Sequence, residues 1–94
     1  MAVLFERVFV DKVRWYSVDK HPETSIYFIS IPRCRSVVSY EDYYRITLAE
    51  FEMHTSDPAR FLELVDRCEN HGCENRLVKA WTMEGILAAA DRDE

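Results

Sequence analysis

Apolar and polar positions roughly alternate over the first third of the chain, then recur at spacings of three and four. In 3–10, VLFERVFV, Phe5 and Phe9 share one face with Arg7, while Leu4, Val8 and Val10 share the other with Glu6. That pattern predicts a strand with one well-buried face. Asp11-Lys12 reads as a turn or as a solvated stretch of one long strand, and 13–18, VRWYSV, continues as strand. The polar run 19–23, DKHPE, ends it, because Pro22 cannot donate to a ladder. Residues 25–31, SIYFISI, are almost wholly apolar and carry no charge, which marks the central strand of a sheet. The stretch 13–31 is therefore a hairpin with a loop of about five or six residues. PRCR at 32–35 is a connection, and 36–40 and 43–46 are strand again, with Glu41-Asp42 a turn between them or a bulge.

Helical signals follow. Thr47 and Glu50 have the spacing of a capping box, so a helix begins at Leu48. Ser56-Asp57-Pro58 ends it and starts the next, with Ser or Asp as cap and Pro in the first turn. Phe61, Leu64, Val65 and Cys68 make one apolar helical face, and Gly72 in the C′ position ends that helix near His71. Residues 77–81, LVKAW, suit a short final strand. Thr82 caps a last helix from Met83 to about Asp91, with Ile86, Leu87 and Ala90 inward. Strands first and helices second predict an α+β fold. The expected form is an antiparallel sheet of three to five strands, packed by two or three helices, in a single domain spanning 1–94.

Charge divides the chain in the same place. Residues 1–35 carry a net +2 and residues 36–94 a net −7, which together give the overall −5. A sequence pI near 5.2 argues against binding nucleic acid or an anionic membrane, since both require a basic patch. No apolar run approaches the ~20 residues of a membrane span, and Glu6-Arg7 interrupts any leader-like stretch. Three cysteines, an odd number, fit a reducing compartment, so the expected location is cytoplasmic.

Candidate chemistry is sparse. Cys68, His71 and Cys73 have soft-ligand spacing, but that is half of a structural zinc set, and Cys68 lies on the apolar stripe. No metal or cofactor is expected. Cys73, after Gly72 in what should be an exposed loop, could act as a nucleophile with His54 or His71 as base. Two glycines, however, leave little loop material for an oxyanion hole. No catalytic residues are assigned and the chain is not expected to be an enzyme.

Aromatic residues near carboxylates are the better lead. Tyr40, Tyr43 and Tyr44 surround Glu41-Asp42, and alternation prevents all three rings from entering one core. In size, acidity and aromatic content the chain resembles bacterial immunity proteins and antitoxins, a likeness of style that assigns no site residue. The expectation is a stoichiometric protein-binding module, an inhibitor or immunity-type protein masking a basic partner. Its contacts would come from Glu41, Asp42, Tyr43 and the helical acids Glu63, Asp66 and Glu69. The alternative is a small enzyme or ligand-binding protein with a pocket between sheet and helices, completed by a homodimer.

Overall fold

The computed structural model describes residues 5–22, 24–35, 38–79 and 82–90. Four antiparallel strands form one sheet in sequence order: β1 (Glu6–Asp11), β2 (Tyr16–His21), β3 (Ile26–Arg35) and β4 (Val38–Ile46). Three helices follow, α1 (Leu48–Ser56), α2 (Pro58–Glu69) and α3 (Met83–Ala88), with a 3-10 turn at Glu74–Arg76 between the last two. The fold is α+β, as the strand-then-helix order predicts. β3 is an inner strand, and Phe28, Ile29 and Ser30 have no exposed surface.

The strand boundaries depart from the sequence pattern where side chains redirect the backbone. Val13 to Trp15 lie in a turn, not in a strand. Asp11 Oδ1 accepts from the Val13 and Arg14 amides at 2.9 and 3.0 Å, and the Trp15 amide returns to the Asp11 carbonyl at 2.9 Å. This Asx-type capture removes those amides from a ladder. β2 then continues through Asp19 to His21, past the expected break, and ends at Pro22. The second hairpin uses the same device: Ser25 N–H donates to His21 O at 2.9 Å, and Ser25, like Trp15, has φ 58°.

β3 runs on through 32–35, the expected connection. Pro32 is tolerated because the β2 pairing stops at Ser30, so that side of β3 needs no donor there. Glu41-Asp42 is neither turn nor bulge. Both residues pair inside a continuous β4, opposite Pro32 and Ile31. The one irregularity lies in β1, where Arg7 opposes Asp19 and Phe9 opposes Val18, leaving Val8 as a bulge. The bulge shifts the alternation, so Val10 rather than Phe9 shares a face with Arg7. None of β1 is buried, against the expected buried face.

α1 and α2 cover one face of the sheet. Tyr16, Val18, Ile29, Ile31, Tyr44 and Ile46 meet Phe61, Leu64, Val65 and Cys68 there, the predicted stripe of α2. The Thr47–Glu50 capping box forms in both directions, at 2.9 and 3.1 Å. α2 ends at Glu69 in a Schellman arrangement: Gly72 N–H reaches Arg67 O at 2.7 Å and His71 N–H reaches Cys68 O at 3.1 Å. His71, with φ 65°, takes the left-handed position expected of Gly72. Gly72 is favoured for a different reason: a Cβ would sit 3.0 Å from the Arg67 carbonyl oxygen, a tight contact.

The opposite face is covered at one end only. Phe28 packs there with Val78, Ile86 and Ala89, flanked by Phe5, Ile26 and Tyr43. The expected strand 77–81 reduces to a bridge between Leu77 and Tyr44 and one bond from Val78 N–H to Tyr43 O at 2.9 Å, while residues 80–81 lie outside the described residues. α3 stops at Ala88, and Leu87 is exposed rather than inward, while Ile86 is buried against Phe28 of the sheet.

Candidate protein-interaction surface

The six residues expected to meet a partner do not form one patch. Glu41 and Tyr43 project from the sheet face opposite α2, whereas Asp42 projects from the α2 side. Glu41 is already engaged: Arg7 Nη2 and Ser30 Oγ donate to its Oε1 at 3.0 and 2.9 Å, and Tyr43 Oη donates to Oε2 at 3.3 Å. Tyr43 stacks on Phe5 with centroids 4.5 Å apart. Asp42 accepts from Arg33 Nε at 3.1 Å, and Arg33 also donates to the carbonyls of Glu69 and Cys68, tying β3 and β4 to the end of α2. Glu63, Asp66 and Glu69 do lie exposed on the outer side of α2.

The metal and nucleophile candidates separate as well. Cys68 and Cys73 are fully buried in the helix-side core, so Cys73 is not in an exposed loop. His71 points outward to Glu74, 3.0 Å away. His54 sits among Phe9, Phe51 and Phe61, with Nδ1 close to the Phe51 carbonyl. Among the described residues no three His, Cys, Asp or Glu side chains gather as a metal site.

The surface that pattern reading missed is β1 and the turn after it. β1 is an end strand, so its outer backbone edge has no neighbour among the described residues. The other edge differs, because β4 is bridged by Leu77. Val8, Phe9 and Val10 are 39–44% exposed, Val13 87% and Trp15 69%. Five exposed apolar side chains thus fall within eight positions along and just beyond an open edge, with Phe9 and Val10 on opposite faces. The signal in the sequence was the defective alternation of 3–10, together with a turn-prone Asp11.

Beside this edge lies a charged network on the uncovered half of the second sheet face. Arg7 donates to Asp19 from Nε and Nη2 at 3.2 and 3.4 Å, and reaches diagonally across two strands to Glu41. The hydrogen bond to Asp19 raises the Arg7 guanidinium above its ordinary value despite partial burial. Asp19, 1% exposed, moves up as well: burial outweighs the stabilisation of its anion by Arg7. A raised carboxyl contributes stability in acid, below its ordinary 3.8, and that contribution is lost as pH rises through the folded value. Replacing Arg7 with Met should raise the Asp19 carboxyl further. The acid-favoured contribution should then persist to higher pH, as read by carbonyl-carbon NMR titration and by melting temperature against pH. An unchanged Asp19 titration would show that the pair has no electrostatic role.

Above the network, a cleft of about 440 Å³ opens between the sheet and the β1–β2 turn, lined among others by Arg7, Val10, Trp15, Ser17, Pro32 and Glu41. It lies on the sheet face opposite α1 and α2, not between the sheet and those two helices. Comparison with protein-family models, curated proteins and solved structures finds no match. None of the described helices is long and apolar enough to cross a membrane.

Proposed function

We propose that this chain is a stoichiometric protein-binding module that takes a partner's extended segment along the open edge of β1. The observation that carries this reading is the exposure of Val8, Phe9, Val10, Val13 and Trp15 along and just beyond an end strand whose outer edge has no neighbour among the described residues. Strand addition uses the backbone edge for affinity and the alternating side chains for selection. Trp15 brings a large rigid area at low entropic cost, as interface anchors do.

Charge favours a heterologous partner over a second copy, since two copies that each carry −5 repel one another. A net charge of −5 and the exposed Glu63, Asp66 and Glu69 would steer a basic partner, the condition for an inhibitor or immunity-type protein.

Affinity capture from the source cells, with the wild type and with Val8→Lys/Val10→Lys in parallel, tests this proposal. The wild type should retain a stoichiometric partner at low and physiological salt. The double variant, still folded by circular dichroism, should bind it roughly 30-fold or more weakly, the effect of losing about 2 kcal/mol at a hot spot. Equal capture by both proteins would overturn the proposal.

A further inference from the structure

The cleft beside β1 has apolar walls and no charge to spare. We infer that it is a specificity pocket for an uncharged aromatic side chain carried by the strand that docks on β1. The inference rests on the strand-addition reading and names the residue such a strand must bring.

Position and shape support it first. Val10 of β1 lines the cleft, and a strand added beside β1 would project every second side chain over that same face. A volume of about 440 Å³ has room for the largest side chains, and Val10, Trp15 and Pro32 give it apolar walls. A flat side chain can set its face against the indole.

Charge comes next. Asp11 and Glu41 line the cleft against Arg7 and Lys12, so the lining is balanced. Its carboxylates are also occupied. Asp11 Oδ1 holds the Val13 and Arg14 amides, and Glu41 accepts from Arg7, Ser30 and Tyr43. Asp19, 1% exposed, is held by Arg7 and is not part of the lining. A cation would find no free carboxylate there. An anion would meet two carboxylates, with only the exposed Lys12 to pair with, and exposed pairs contribute little. An uncharged ring avoids both penalties.

The third observation is Trp15 itself. Its side chain is 69% exposed and belongs to neither core cluster of the described residues. Its backbone has φ 58°, a left-handed conformation that suits Gly or Asn better than a bulky residue. The second hairpin makes the same turn, with the same φ and the same 2.9 Å bond back to the strand, using Ser25. The turn therefore does not need a large side chain, and Trp15 holds a strained conformation that does not serve the core. A docked ring that stacks on the indole accounts for it.

Four strand-forming peptides, identical except for a central phenylalanine, alanine, lysine or glutamate, would be titrated into isotope-labelled full-length protein. The phenylalanine peptide should shift the Val10 and Ser17 amides and the Trp15 indole, and bind about tenfold more tightly than the alanine peptide. The lysine and glutamate peptides should gain nothing over alanine. Trp15→Asn should raise the melting temperature of the free protein by relieving the left-handed backbone, and bring the phenylalanine-to-alanine ratio close to one. Ser25→Asn, at the matching turn outside the cleft lining, should leave that ratio intact. If lysine binds as tightly as phenylalanine, or the ratio survives Trp15→Asn, while β1 amides still shift, the pocket assignment is overturned and strand addition stands. A lower melting temperature for Trp15→Asn would make the indole part of the fold and overturn it too. N-acetylphenylalaninamide alone should bind far more weakly than the phenylalanine peptide; equal binding would put a free small molecule in the cleft instead of a strand's side chain. If no peptide shifts any β1 amide up to millimolar concentration, both readings fall.

Discussion

Val65→Asp should leave most of the chain unfolded at room temperature. Val65 is 2% exposed and packs in the helix-side cluster with Phe61, Leu64, Ile29 and Tyr44. The side chains of that cluster are apolar, so a carboxylate placed there would be buried in a low-dielectric setting. Burying such a charge costs several kcal/mol, even if it protonates to escape the penalty. Total stability for a domain of this size is about 5–15 kcal/mol. Urea titration followed by circular dichroism should show loss of the folded baseline. A variant with unchanged midpoint would mean that this side of α2 does not face the core.

Glu50→Ala should cost nearly as much, through a contact that hydropathy does not reveal. Arg76, 2% exposed, donates from Nη1 and Nη2 to the two Glu50 oxygens at 2.7 and 3.0 Å. The same carboxylate accepts from the Thr47 amide at the start of α1. Its removal takes this carboxylate away from a buried guanidinium that also donates to the Arg45 carbonyl, a loss of about 3 kcal/mol, and adds about 1 kcal/mol from the broken capping box. Glu50→Gln keeps an acceptor for the Thr47 amide and for one guanidinium N–H, so its cost should fall between wild type and Glu50→Ala. A measured loss below about 1 kcal/mol for Glu50→Ala would show that Arg76 finds other compensation.

These two sites mark what was legible in the sequence. The α2 stripe, the Thr47 cap and the apolar inner strand follow from periodicity and cap chemistry, both local properties. The limits of β2, β3 and β4 did not follow, because polar residues that look like breaks are satisfied across the sheet. Asp19 and Glu41 share Arg7, and Asp42 takes Arg33. Such pairings lie between residues 9 to 34 positions apart, beyond any windowed pattern. The surroundings of the expected contact residues were hidden for the same reason. Glu41 and Tyr43 look free in a linear reading but are held by Arg7, Ser30 and Phe5. Conversely, the apolar residues of β1 look like core and are exposed, since β1 is the end strand and α3 covers only the far end of the face that carries Val10.

The central claim is that β1, rather than the acidic side of α2, is where a partner binds. Amide hydrogen exchange on the chain, free and in complex with the partner it captures, tests it most directly. Slowed exchange should concentrate in β1, Glu6–Asp11, and at Trp15, with α2 largely unchanged. Slowed exchange confined to the outer side of α2, around Glu63, Asp66 and Glu69, with β1 unaffected, would contradict the account.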